Sequence, residues 1–398
     1  MTAKIKLRYY LLALLYFAGV NMTSAMFMTF LLAKGLDERW AMISYAFYFI
    51  ALTALEIPTG AISDVVGRKN AFVLACVLSA TSMLVYASAE SFWMFALAAA
   101  LGGTGVAFAN GTLDSWFVVQ LRRASGQGSM DIEFTMAELL KTALAAIAGF
   151  VGIRFAGTTM QFPWFAAAFC FLGTATVAWW IMNEKDIAER EKVVFREKWE
   201  LLKQTARDGI AYGRDNKKIA FIVWTTMAMY ATIMIPNMLW QPHFLQWLSV
   251  QDLGYVWIST MGATAFGILI VMSLRIWGLE IYDRKTLLIC LMVMGGGIAA
   301  MALFGNFGDS FLVYLIYQVG RGAYQPINRA FLHRQIKSDH LRTTVASIEA
   351  IGHHVGAALG LVVGAYIVLL FSREVALILA GTLLFIFAIA RWKHRKSS

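Results

Sequence analysis

Charge is scarce in this chain. Of 398 residues only 15% are Asp, Glu, Lys or Arg, where a water-soluble domain carries about 25%, and the shortfall excludes water as the main solvent. Proline is scarce too, at five, and no ten-residue stretch alternates apolar with polar residues, which argues against a transmembrane β-barrel. The three cysteines, Cys76, Cys170 and Cys290, all sit inside apolar runs where no loop disulfide can form, so they read as small packing residues. No Gly-Lys dipeptide occurs, which removes the G-x-x-x-x-G-K-[ST] phosphate loop and with it an ATP-driven motor. Catalytic triads and zinc-ligand spacings are missing as well. The expectation is therefore not an enzyme, with no cofactor and no metal.

What is present is apolar and long. Residues of the AVILMFWYC set make up 59% of the chain and mean hydropathy is +0.64. In a bilayer every backbone polar group must be satisfied within its own segment, so runs of about 20 apolar residues read as spanning helices. Hydropathy and loop polarity predict twelve of them, near 7–32, 40–62, 70–88, 92–120, 134–155, 161–182, 217–247, 253–276, 285–305, 309–334, 342–371 and 374–391. The first run could pass for a signal peptide, but it continues to about Ala33 without a small-residue cleavage site and reads as the first span.

The formal charge of +10 would suit a nucleic-acid ligand only if the basic residues were gathered on one surface. They fall in alternate loops, and only Lys34, Arg39, Arg154 and Arg373 lie on the opposite side. That asymmetry is the positive-inside pattern; it predicts both termini in the cytoplasm and anionic membrane lipid as the partner of the basic loops. The longest polar stretch mixes both signs over a helix-compatible length and reads as a solvated connector. It predicts three parts: a six-helix bundle over 1–182, a cytoplasmic linker over 183–218 and a second bundle over 219–398. Sliding the second half on the first by 216 positions pairs Asn21-Met22 with Asn237-Met238, Asp64 with Glu280 and Arg68-Lys69 with Arg284-Lys285. Further on, Glu138 and Gly149 match Glu349 and Gly360 after a shortened loop. The common order argues for a parallel repeat.

Between the second and third segments stands Glu56-Ile-Pro-Thr-Gly60-Ala-Ile-Ser-Asp64-Val-Val-Gly67-Arg68-Lys69. This resembles the G-x-x-x-D-x-x-G-R-[RK] loop of the major facilitator superfamily, preceded by the E-I-P-T-G lead-in of bacterial members that resemble drug/proton antiporters. The resemblance implies an all-α membrane fold of twelve helices in two pseudo-symmetric six-helix bundles. It also implies a conformational latch at Gly60, Asp64, Gly67, Arg68 and Lys69, with Asp64 meeting the start of the eleventh helix near Arg342. By composition, Gly60 permits close helix approach and Gly67 a tight turn. The second-half counterpart, Glu280 to Lys285, lacks these glycines; it should keep salt bridges and lose the tight turn.

Ionisable groups inside spans cost free energy and are functional candidates by default. Here they are Glu56, Asp114, Glu138, Lys141, Arg321, Glu349, His353 and His354. Asp114, Glu138, Glu349 and His353 are the candidate proton-coupling groups. The resemblance places the first, fourth, seventh and tenth helices around a central cavity, which draws Asn21, Asn237, Trp240, Gln241, Arg321, Tyr324, Gln325 and Asn328 toward a shared substrate site. Asp114 is expected about 9 Å from the end of its helix, with anchoring of Arg122 or Lys141 as its structural alternative. Arg321 should pair with Glu349 or bind an anionic group, and Glu138 with Lys141 fits an internal ion pair.

These features predict a secondary active carrier, a monomer in the bacterial inner membrane, that moves a small-molecule substrate with protons by alternating access. The leading reading is efflux of amphiphilic drug-like or metabolite molecules. It rests on the E-I-P-T-G lead-in and on 20 Met, 13 Trp and 28 Phe that suit adaptable pockets. The fifth segment, Ala148-Gly149-Phe150-Val151-Gly152, departs from the antiporter pattern by lacking a Gly-Pro pair. The alternatives are uptake of a polar or anionic nutrient and, in another class, a membrane-embedded sensor.

Overall fold

The computed structural model describes residues 2–125, 131–157, 159–182, 216–279, 281, 283–335 and 339–393. Most of the expected linker lies outside them. Among the described residues there is no strand. The helices are α1 (Thr2–Asn21), α2 (Phe27–Ala33), α3 (Glu38–Val66), α4 (Arg68–Ser88), α5 (Phe92–Ala109), α6 (Thr112–Ser125), α7 (Asp131–Phe155) and α8 (Phe162–Ile181), then α9 (Lys217–Phe244), α10 (Leu253–Ile276), α11 (Arg284–Met301), α12 (Phe307–Gln335), α13 (Asp339–Leu370) and α14 (Arg373–Lys393). With α1 continued by α2 and α5 by α6, they form the twelve membrane-length columns the sequence leads one to expect. Ten columns are long and apolar enough to cross a bilayer. The other two, α3 and α12, have 29 residues each, about 44 Å of helix.

Two columns that read as continuous are broken. The first is interrupted by a 3-10 turn at Ser24–Met26. Just before it, the Asn21 amide donates to the Phe17 carbonyl at 2.9 Å and the Ser24 hydroxyl to the Val20 carbonyl at 3.3 Å. Such side chains compete for the carbonyls that the helix would use. The fourth is interrupted at Asn110-Gly111, where Gly111 adopts φ 69°, a left-handed value that glycine alone takes without strain. At the start of α9, Asn216 Oδ1 accepts from the backbone N–H groups of Lys218 and Ile219 and caps the helix.

The described residues fall into two units. One lies within Met1–Phe30 and Phe47–Thr205, the other within Leu31–Ala46 and Ala206–Ser398. In the first, α4 packs on α5 and α8, and α1 on α6, α7 and α8. Its core is aromatic: Tyr9 stacks on Phe117 at 4.2 Å, and Trp164 lies against Phe30 and Tyr86, each at 4.7 Å.

In the second unit α9 packs along α13, α11 lies between α12 and α14, and α10 packs on α12. The α9–α13 seam is lined by Gly352, Gly356, Gly360 and Gly364 at four-residue spacing. A Cβ on Gly356 or Gly360 would be driven into the backbone carbonyl of Met227 or Ala231, so only glycine lets the two backbones come this close. The outer end of this unit also takes in the start of α3. Glu38 pairs with Arg373 at 3.3 Å, and Arg373 donates to the Pro242 carbonyl.

Candidate functional site

The second unit brings polar groups from three helices together in one place. Along α12, Arg321, Gln325 and Asn328 follow helical spacing on one face, and each meets α9. Arg321 donates to Asn237 Oδ1 at 2.8 Å, Gln325 Nε2 donates to the Tyr230 hydroxyl at 2.7 Å, and Asn328 Nδ2 approaches the Thr226 hydroxyl at 3.5 Å. From α13, Glu349 Oε1 accepts from Thr226 at 2.9 Å and from Asn328 at 3.1 Å. His353, one turn further along α13, stacks on Tyr230 with ring centroids 3.4 Å apart. The result is a polar ladder between α9, α12 and α13 that follows α9 from Thr226 to Asn237, about 16 Å. Its chemistry is graded. A guanidinium stands at one end, a carboxyl group at the other, and phenol, amide and imidazole groups lie between.

The expected Arg321–Glu349 pair is not made. Glu349 lies level with Asn328, seven residues and about 10 Å along α12 from Arg321, too far for a direct contact. Among the described residues the guanidinium meets Asn237 and lies within electrostatic reach of Tyr317, Tyr230 and Tyr314, with no carboxylate beside it. A half-buried guanidinium held only by neutral groups retains most of its attraction for an anion.

Of the other expected substrate-site residues, Trp240 stacks with Trp257 and Tyr314 at 6.4 and 6.3 Å, and Gln241 and Tyr324 are buried within the same unit. Asn21 belongs to the first unit and binds its own helix. Thr226 and Tyr230 complete the ladder and are not among the residues the sequence reading selects. Their spacing from Asn237 along one helix is the signal that could have found them.

In the first unit, Asp114 occupies the first turn of α6, directly after the break at Gly111. Its Oδ1 accepts from the hydroxyl of Tyr9 at 2.8 Å, a partner in α1 rather than Arg122 or Lys141. Because α6 runs on to Ser125, Asp114 is eleven residues from that helix end, about 16 Å, rather than the expected 9 Å. Glu138 pairs with Lys141 at 3.1 Å; Glu138 is 57% exposed, whereas the buried Lys141 also lies over the Phe17 ring at 4.7 Å.

At the latch motif, Gly67 adopts φ 92° between α3 and α4, as a tight turn requires. Arg68 donates to the Ser115 carbonyl at 3.3 Å, and Lys69 sits over Trp179 at 4.3 Å. Among the described residues, a Cβ on Gly60 would meet nothing within 4 Å. The side chains of Asp64 and Arg342, and Glu280 as a whole, lie outside the described residues. In the second half the preceding helix ends at Ile276, Gly278 adopts φ 75°, and α11 begins only at Arg284, where Asp283 caps it by accepting from the Thr286 N–H at 2.8 Å.

Twelve helical columns in two units, ten of them long and apolar enough to cross a bilayer, with ionisable groups held along them, fit a multi-pass membrane transporter. The model of the Major Facilitator Superfamily matches residues 9–348, and the chain belongs to that family. Among solved structures, it is similar to the nucleoside transporter NupG, with a TM-score of 0.80 at 15% identity over 99% of this chain and 100% of the other. A POT family transporter in complex with 5-aminolevulinic acid gives a TM-score of 0.75 at 11% identity, over 97% and 95%. The human organic anion transporter MFSD10 gives 0.66 at 14%, over 98% and 99%. At these identities the likeness is one of fold. No curated protein matches the chain in sequence.

Proposed function

We propose that this protein is a proton-coupled secondary carrier that exports small amphiphilic metabolites or drug-like molecules bearing an anionic group, by alternating access. The observation that carries the reading is Arg321, a permanent cation in a membrane helix whose hydrogen-bond partner is the neutral Asn237 and which therefore keeps its attraction for an acid. The rings of Tyr230 and His353 beside it suit the apolar part of such a solute. Asp114 and Glu349 are the groups assigned to the proton, because each is a carboxyl group inside a span with a neutral hydroxyl partner. The loop asymmetry supports an inner-membrane protein with both termini cytoplasmic.

The test uses purified protein in proteoliposomes with an imposed pH gradient and a panel of labelled organic acids, amines and neutral solutes. Export of acids in exchange for protons, lost in Arg321→Gln, is the expected result. Preference for amines, or transport untouched by the substitution, would sink the assignment.

A second reading, uptake of a polar or anionic nutrient, is favoured by the amides of Asn237, Gln325 and Asn328, which suit hydroxyl or amide groups on a solute. Accumulation under an inward proton gradient would select it.

A further inference from the structure

The break in the fourth column is supported by side chains around it. Asn110, at φ −56° and ψ 121°, is followed by Gly111 at φ 69°, the pattern of a type II turn. The turn takes helical donors away from the last carbonyls of α5, and hydroxyls replace them: Thr112 donates to the Phe108 carbonyl at 2.6 Å and Thr59 of α3 reaches the Ala107 carbonyl at 3.1 Å. Glu56 stands three residues before Thr59, on the same side of α3, and its carboxyl group lies within electrostatic reach of the Asn110 side chain. It is ten residues from Val66, where α3 ends, about 15 Å into the helix.

This carboxyl group differs from the others in the spans. Asp114 has the Tyr9 hydroxyl, Glu138 the Lys141 ammonium, and Glu349 has Thr226 and Asn328. Oε2 of Glu56 is buried, and among the described residues it has no hydrogen-bond partner; no lysine, arginine or histidine there pairs with the group. An ionised carboxylate so placed would have neither water nor a donor on its inner oxygen, a costly arrangement inside a span, and a carboxyl group in that position takes up a proton instead. Glu56 is half-buried and Asn110 exposed, so protein does not seal the group in. Asp114, held by Tyr9, follows Asn110 by four residues on the far side of the same turn.

We infer that Glu56 is a proton-binding site at this turn. With the proton bound the group is an uncharged acid; when the proton leaves to water, the Asn110 amide is the donor to the carboxylate that remains. Its use in coupling rests on the carrier reading above, where it adds a resting place for the proton beside Asp114 and Glu349. The proton itself is measured without any solute, so its presence and that reading can fail separately.

The test is difference infrared spectroscopy of the purified full-length protein in lipid vesicles at neutral pH, reading the carbonyl stretch of protonated carboxylic acids and its shift in heavy water. The wild type is expected to show a component that is missing in Glu56→Gln and kept in Glu138→Gln. Asn110→Ala, at an exposed position where folding is not at stake, is expected to shift that component without removing it. Glu56→Gln is also expected to keep the wild-type unfolding midpoint, because an amide has the shape and neutrality of the protonated acid. A spectrum unchanged by Glu56→Gln would overturn the proposal, as would a component untouched by Asn110→Ala. So would a sharp fall of the midpoint in Glu56→Gln, which would mean that the ionised form supports the fold.

Discussion

The first half of the chain holds its intramembrane charges in two separate hydrogen-bonded pairs, whereas the second arranges its own in one ladder. In the first, Asp114 has the Tyr9 hydroxyl and Lys141 has Glu138. In the second, side chains from α9, α12 and α13 link Asn237, Arg321, Gln325, Tyr230, Thr226, Asn328 and Glu349 by hydrogen bonds, with His353 stacked on Tyr230. Counting from the matched glutamates Glu138 and Glu349, Lys141 stands where the second half has Gly352, and Thr142 where it has His353. The glycine run that draws α13 onto α9 thus starts at the position where the first half carries a long cation. Close backbone approach makes short hydrogen bonds across the seam possible, so the denser polar network follows from the smaller side chains.

The largest expected effect tests that seam. Gly360→Val would force a side chain into the Ala231 carbonyl, backbone against backbone, with no flexible group to yield. A loss of about 3 kcal/mol or more is expected from such overpacking, seen as a sharp fall in the detergent unfolding midpoint. Gly173→Val, where nothing lies within 4 Å of a new Cβ, should change it little. Similar midpoints for the two would mean that the seam is loose and that the contrast between the halves has another origin.

Next in size is Arg321→Gln. Removing a half-buried cation that meets a charged solute costs about 2–5 kcal/mol, so transport of an anionic substrate should fall on the order of 100-fold, with the protein still folded. Arg122, exposed in the first unit, supplies the comparison: Arg122→Gln should retain nearly all activity. Loss in both would point to general electrostatics rather than to a site in the second half.

The third effect asks which half handles the proton. Asp114→Asn is expected to abolish pH-gradient-driven transport in proteoliposomes. Tyr9→Phe, which deletes a single hydrogen bond to a carboxylate worth about 1.5–3 kcal/mol, should lower it about ten-fold or more. If Asp114→Asn is without effect and Glu349→Gln stops coupling, the proton path belongs to the second half alone, and the division of labour between the units disappears.

The fold was legible because membrane helices announce themselves by length and apolarity, and the glycine-rich loop at Gly67 requires a turn that few residues other than glycine permit. The breaks were not. Asn21, Ser24 and Gly111 are each compatible with a continuous apolar run, and only their hydrogen bonds or dihedral angles show where the helix stops. Arg321 was legible as a charge in need of a partner, but its partner was not, because sequence adjacency says nothing of the level at which antiparallel α12 and α13 meet. Tyr230 and Thr226 carry no mark in the sequence for a similar reason. Tyrosine and threonine are ordinary in a span, and they become informative only once the facing helix presents Gln325, Asn328 and Glu349. The Gly352 to Gly364 spacing was visible in the residues and carried a physical meaning, close approach of two helices, that hydropathy alone does not register.

The smallest effect is expected at Glu138, and it bears on the comparison from the other side. Its carboxylate is more than half exposed and its partner Lys141 keeps a second stabilising contact, the face of Phe17. An ion pair with one exposed partner contributes about 1 kcal/mol, and glutamine keeps an oxygen that Lys141 can still donate to, so Glu138→Gln should move the unfolding midpoint by only a few degrees. Its aligned residue Glu349 has no such alternative, because its oxygen is held by Thr226 and Asn328 inside the ladder. Glu349→Gln should therefore alter both stability and coupling, although the two glutamates occupy matching places in the repeat. Measured side by side in the same vesicles, equal losses of coupling would return Glu138 to the proton path and make the halves functionally alike. A loss at Glu349 alone would show that the hydrogen-bonded surroundings of a carboxyl group, rather than its place in the repeat, decide whether it works.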